Sequence, residues 1–245
     1  MASTFDKQKA SCLAGVDLSR KGSIDAPITD IVALINANDD FFTTSSCSGR
    51  IIIVDNDSGG SVKKKGCRWV LTSHEAVSVD EVTESLKTVQ CNAVFKFEPF
   101  IMHIQCRGLE HAQAMLNAAV SSGNRNSGIS VGNKGKFITA IRSTQSLEVP
   151  LTSKGRLLVD EKYLQFLVSL ANSKMVDNLD RIQRFFTNLK STLENTSKSK
   201  VEEEKAPKTK ATHDYSKPRR KDADQQTDNY EDLVCCAMFD CELDT

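Results

Sequence analysis

No segment of this 245-residue chain is long and apolar enough to span a bilayer, and the opening Met1-Ala2-Ser3-Thr4-Phe5-Asp6-Lys7 lacks the apolar run of a secretory signal. The expectation is therefore a cytoplasmic protein that makes no use of a membrane. Aromatic residues are scarce at 6%, which argues against a surface built mainly to stack bases. Charge of neither sign dominates, with 32 Lys+Arg against 32 Asp+Glu. Residues 1–190 carry 23 Lys+Arg and 19 Asp+Glu, and the remainder carries the acidic surplus, so an RNA partner is permitted but not demanded. There is no G-x-G-x-x-G, no Walker loop and no Gly-x-Ser-x-Gly elbow, which excludes the commonest announced nucleotide and hydrolase sites. The eight cysteines form no Cys-x-x-Cys pair and the four histidines are widely spread. Free thiols are expected, and no metal site.

What is present reads as alternating strands and helices. Asp25-Ala26-Pro27 has the form of a helix start with a capping carboxylate, followed by Ile28, Ile31, Val32 and Ile35 on one face. Ile51 to Val54 and Arg68 to His74 read as a hairpin. Ser78 and Glu81 have capping-box spacing ahead of Val82, Leu86 and Val89. Ala93 to Phe97 and Phe100 to Ile104 read as two strands joined by a tight Glu98-Pro99 hairpin. A helix through Leu109 to Val120, ending at Gly123, leads to a third hairpin made of 129–131 and 136–142. Strand, helix, hairpin, helix, strand is the order of a split β-α-β unit. The fold class expected is therefore α/β of the α+β type, a mixed sheet flanked by helices and not Rossmann-like. A long helix from Asp160 follows, with a break expected near Asn178. Beyond residue 192 the charged, apolar-poor composition predicts a disordered tail. The domain expectation is thus 1–191 ordered and 192–245 tail.

Polar clusters fall at the strand ends, where side chains converge without forming the core. The densest is Phe41 to Arg50, in which Thr43, Thr44, Ser45, Ser46, Cys47, Ser48, Gly49 and Arg50 read as a binding loop whose amides, hydroxyls and guanidinium surround a polar ligand. Arg107, Arg125 and Arg142 recur in the others, beside Asn126, Ser127 and Ser143. Guanidinium groups beside Ser/Gly turns suit phosphate or carboxylate, although each alone is more often a surface ion pair. Cys47 beside Arg50 could be an activated thiolate, but no partner base is fixed by sequence, so a packing role is favoured. His103 alternates within an apolar strand and His74 ends one; either could handle a proton.

The segments TTSSCSGR (43–50), KFEPFIMHIQCR (96–107), SGNRNSGI (122–129) and IRSTQSLEVPL (141–151), with Asp17 to Ser23, closely resemble the tRNA wybutosine-synthesizing protein 3 family. The resemblance covers about residues 5–190. It implies a methyltransferase that uses S-adenosylmethionine to methylate ring N4 of the aminocarboxypropyl-demethylwyosine base 3′ to the anticodon of tRNA(Phe). It also implies a fold distinct from Rossmann-like methyltransferases. On that reading, Ser45, Ser46, Ser48, Gly49 and Arg50 hold the cofactor, and Arg107, Arg125, Asn126, Ser127 and Arg142 meet RNA or base. His103 and His74 are the candidate catalytic residues. The rival reading is a non-catalytic RNA-binding module that grips phosphates through its Ser/Arg loops.

Overall fold

A computed structural model of the chain describes residues 3–16, 22–56, 67–132 and 135–205, with side chains to residue 194. Helix α1 (Thr4–Ala14) opens on a capping box of Ser3 and Asp6, a helix that apolar periodicity alone did not announce. A short 3-10 turn (Ala26–Ile28) continues into α2 (Thr29–Ala37), which buries Ile31, Val32 and Ile35. Then come β1 (Phe41–Cys47), β2 (Arg50–Asn56), β3 (Arg68–Ser73), α3 (Val79–Leu86), β4 (Asn92–Glu98), β5 (Ile101–Cys106) and α4 (Leu109–Ser121). The chain continues with β6 (Gly128–Gly132), β7 (Lys136–Arg142), β8 (Leu147–Pro150), β9 (Thr152–Ser153), β10 (Arg156–Leu157) and α5 (Glu161–Lys205). The Ser78/Glu81 capping box of α3 and the β2–β3 and β6–β7 pairings form as the sequence predicts.

The α+β class and the absence of a Rossmann arrangement hold, but the strands divide between two four-stranded antiparallel sheets and a small β9–β10 ribbon rather than one mixed sheet of split β-α-β order. Sheet one has the order β1-β5-β7-β6, and sheet two the order β3-β2-β4-β8. The expected β4–β5 hairpin therefore does not form. Strand β4 already has β2 on one side and β8 on the other, and Pro99 offers no N–H to a ladder. The chain instead steps from sheet two to sheet one through Pro99-Phe100. It makes the reverse step twice, from β1 to β2 through Ser48-Gly49 and from β7 to β8 through residues 143–146. The registers align these crossings. Cys47 pairs with Ile101, and Ile101 with Arg142, on one side, while Arg50 pairs with Glu98 on the other. A seam thus runs across the molecule.

Helix α5 lies under both sheets. Leu164, Leu167, Val168, Ala171 and Met175 join the core of sheet two, while Ile182, Phe185, Leu189 and Leu193 join that of sheet one. Between these groups sits Asn178, with no exposed surface. The helix does not break there, because the amide is satisfied sideways: its Nδ2 donates to the Ser48 carbonyl and its Oδ1 accepts from the Phe100 N–H, each at 2.7 Å. The helix also continues past residue 192 to Lys205, since Thr192 still donates to the Asn188 carbonyl and Leu193 is still packed. The rest of the expected tail lies outside the described residues. No helix among the described residues is long and apolar enough to cross a membrane.

Candidate functional site

The segment expected to be a loop is mostly strand. Phe41–Cys47 is β1, an edge strand that pairs with β5 on one side only, so it carries its hydroxyls on a strand and not on a loop. Pleating then sorts those hydroxyls. Ser45 lies opposite His103 on the outer face, and Ser46 lies opposite Met102, whose side chain is fully buried in the core. Ser46 is thereby separated from Ser45, contrary to the expectation that both line one pocket.

On the outer face of sheet one, four expected residues form a connected row. Ser45 Oγ is 2.9 Å from His103 Nδ1, and Arg142 Nη2 is 3.3 Å from His103 Nε2. The Arg142 N–H donates to Ser127 Oγ at 3.1 Å, and Ser127 donates to the Asn124 carbonyl at 2.6 Å. A guanidinium has no acceptor, so Nε2 of His103 must accept and Nδ1 must carry the hydrogen toward Ser45. Burial, and then the charge of Arg142, push the His103 pKa down, which keeps the ring neutral. His103 therefore fixes the direction of the Ser45 hydroxyl.

At the seam the row meets a second cluster. Cys47 shares the outer face of β1 with Ser45, about 7 Å along the strand. The Asp25 carboxylate accepts the Ser48 N–H at 2.8 Å and lies 3.4 Å from His74 Nδ1, which is 3.0 Å from the Gly49 carbonyl. Asp25 thus caps no helix with its side chain, contrary to the sequence reading; the proline-bearing first turn leaves the carboxylate to reach the seam. No spacing rule links positions 25, 48 and 74, so composition could not have found this contact. Asp25, Cys47 and His74 place a carboxylate oxygen, a sulfur and a ring nitrogen within 4.8 Å of one another, which is a donor set for a cation. Asp25 and His74 are hydrogen-bonded to the Ser48-Gly49 turn, and burial pushes the Cys47 thiol up, against the thiolate that a nucleophile would need.

The other expected residues are placed separately. Arg50 pairs with Glu98 at 2.8 Å and stacks 4.7 Å from the Trp69 ring, across the turn from Ser45. Arg125 and Asn126 are exposed next to Ser127, at the edge of the row. Arg107 is not part of the site: it lies at the far end of β5, bound to Asp6 at 2.7 Å and Asp40 at 2.9 Å and stacked on Phe5. Its role is to dock α1. Two polar atoms at the site are buried without a partner, Ser48 Oγ and Arg142 Nε. They are a hydroxyl and a guanidinium donor left for something else to satisfy.

The family model described as "Methyltransferase TYW3" matches residues 7–191. The chain belongs to the TYW3 methyltransferase family. It is 42% identical over 239 residues to the human tRNA wybutosine-synthesizing protein 3 homolog, covering 93% of this chain and 92% of that one. The Bos taurus homolog is 46% identical over 216 residues, covering 88% and 83%. The Arabidopsis thaliana tRNA wybutosine-synthesizing protein 2/3/4 is 37% identical over 94% of this chain, which spans only 23% of that longer protein. A solved structure of a Pyrococcus horikoshii protein is 33% identical with a TM-score of 0.70, covering 77% of this chain and 95% of that one. The TYW3 chain is therefore an enzyme, a methyltransferase of tRNA wybutosine synthesis, which removes the non-catalytic rival. Its substrate is a tRNA, and its reaction requires a methyl donor.

Proposed function

We propose that the protein methylates ring N4 of the aminocarboxypropyl-demethylwyosine base 3′ to the anticodon of tRNA(Phe), in the cytoplasm, with S-adenosylmethionine as donor. The observation that carries this is the outer-face row Ser45–His103–Arg142–Ser127, running into the seam beside buried orphan donors at Ser48 and Arg142. A ligand bearing a carboxylate and ribose hydroxyls supplies the acceptors those donors lack, so the residues present fit this cofactor. When bound, it supplies an electrophilic sulfonium methyl.

Ser45 and Ser48 would hold the cofactor's polar groups, with Gly49 forming the tight crossing that presents Ser48 and Arg50, held by Glu98, flanking the pocket. Arg142 faces the same space and would meet a carboxylate, whether the cofactor's or the one on the base's side chain. Arg125 and Asn126, exposed beside Ser127, would receive the RNA backbone. His103 orients Ser45 and, with both ring nitrogens engaged, leaves proton acceptance to His74. Alignment and exclusion of water supply much of the rate in such a displacement, so no covalent residue is needed. The catalytic unit is assigned to residues 1–191, with 192–245 outside it.

The test is to incubate tRNA from cells lacking this protein with S-adenosylmethionine and the purified chain, then analyse nucleosides by mass. A one-methyl gain on the tricyclic base is expected, and Arg142→Ala should cut the rate at least tenfold. No gain with the wild type would refute the assignment.

A further inference from the structure

We infer that helix α5 carries a second RNA-contacting surface, in which Arg181 and Arg184, beside the loop from α4 to β6, hold the sugar–phosphate backbone of the tRNA flanking the reacting base; this rests on the tRNA reading given above. The row on sheet one ends at Ser127, in the loop that leads from α4 into β6, the edge strand. On the other side of that loop stands α5. Arg181 Nη1 donates to the Gly123 carbonyl at 2.5 Å, Arg184 Nε to the Ser122 carbonyl at 3.4 Å, and Asn188 Nδ2 to Ser122 Oγ at 2.9 Å. Arg142, Arg125, Arg181 and Arg184 thus follow one another round a single rim that begins at the site. Along α5, Arg181 and Arg184 lie about 4.5 and 9 Å beyond Asn178, the residue that closes the seam.

What marks this rim is charge left uncompensated. Arg50, Arg68 and Arg107 are each paired to a carboxylate, whereas none of the four rim arginines has a carboxylate partner among the described residues. Asp177 and Asp180 stand four residues before Arg181 and Arg184, the spacing of a helical ion pair. Neither pair forms, because Asp177 takes the Gln145 amide at 3.4 Å and both guanidiniums turn to the carbonyls at the end of α4. Those carbonyls carry a charge on the order of −0.5, which offsets only a fraction of two guanidiniums. A helix cap alone needs less charge than is present. Each guanidinium uses one N–H on its carbonyl, and the exposed Arg184 keeps both Nη groups for the bidentate grip that a phosphate accepts. Beside it lies a groove of about 320 Å³ whose other lining residues are Ser121, Gln183, Thr187 and Asn188, hydroxyls and amides suited to ribose and phosphate rather than to an apolar peptide or lipid. Two buried groups at the same contact have no partner, the Asn124 side-chain amide and Arg181 Nε, so the loop holds donors that the free chain leaves unused.

The experiment measures, by fluorescence anisotropy over a series of KCl concentrations, binding of the purified full chain to tRNA from cells lacking this protein. Arg181→Gln and Arg184→Gln should each weaken binding about fourfold at physiological salt and flatten the slope of log K against log salt by about 0.7–0.9. In methyl transfer the loss should fall on KM for tRNA and not on kcat, with S-adenosylmethionine affinity unchanged. Arg184→Lys, which keeps the charge and loses the fork, should recover the slope. Lys136→Gln, the same change of charge at the opposite end of β7 from Arg142, should leave the slope as in the wild type. A purely structural cap on α4 predicts a lower melting temperature in Arg184→Gln with tRNA affinity and slope intact. That result would overturn the proposal, as would an equal loss in Lys136→Gln. Should Arg181→Gln fail to fold, Arg184→Gln decides alone, because Arg184 is exposed. A wild type that binds tRNA with this arginine-dependent slope but transfers no methyl would refute the enzymatic reading and uphold the surface. One that methylates tRNA while both variants keep its KM and slope would refute the surface alone.

Discussion

Gly49 is the point on which the seam closes. Its φ of +105° lies where side chains are strained, and a Cβ there would fall 2.8 Å from Asn178 Nδ2, 3.1 Å from the Glu98 carbonyl and 3.2 Å from the Phe100 N–H. Two of those three atoms are backbone and cannot swing away. The third is the buried amide that ties both crossings to α5. Gly49→Ala is therefore expected to destabilise the protein by roughly 2–4 kcal/mol, combining backbone strain with overpacking. The urea unfolding midpoint measures this, and an unchanged midpoint would contradict the close approach. The glycine of the TTSSCSGR segment is thus better explained by the sheet crossing than by direct contact with a ligand.

Helix α1 is held by electrostatics and one aromatic contact. Phe5 packs on Phe42 with ring centroids 5.3 Å apart, and Arg107 lies over Phe5 while binding Asp6 and Asp40. The Arg107 hydrogen bond, followed by those from Ser3, holds the Asp6 carboxyl well below the usual range, at about 2. A carboxylate with a depressed folded pKa stabilises above its unfolded value and loses that contribution as pH falls through the folded one. Docking of α1 is therefore expected to persist above about pH 4 and to fail progressively toward pH 2. The Phe5 ring resonances report it. Arg107→Ala should release the helix at neutral pH as well, leaving the Asp40 carboxylate, only 7% exposed, without its guanidinium. A Phe5 environment that stays constant through both changes would show that packing alone holds α1.

The molecule as a whole is two sheets made into one unit by α5. Its apolar positions serve first one core and then the other, so neither sheet can lose the helix without exposing the second. Leu167→Ala, in the core of sheet two, is expected to cost roughly 2–5 kcal/mol, and Phe185→Ala, in the core of sheet one, roughly 3–5 kcal/mol. Calorimetry of either variant should show one transition at a lower temperature. Two separate transitions would mean that the sheets unfold independently and that the seam is a linker. Because the row on sheet one and the Asp25–His74 pair meet at that seam, a rigid junction is also what gives the site a fixed geometry.

Local pattern alone determined the helices and strands that have strong periodicity or caps, among them α2, the Ser78/Glu81 start of α3, α4 and the two true hairpins. It also determined the family, through four separated segments, and so the reaction class. These signals are carried by residues near one another in the chain. Only the tertiary structure decided that β4 and β5 part into different sheets, since a strand's partners depend on edges supplied by β2, β8, β1 and β7. The same holds for which face of β1 each hydroxyl takes, for Arg107 serving α1, for Asn178 bridging and not breaking its helix, and for Asp25 reaching Ser48 and His74. Each of these is a contact between residues far apart in sequence, where hydrogen-bond satisfaction in the buried seam outweighs local preference.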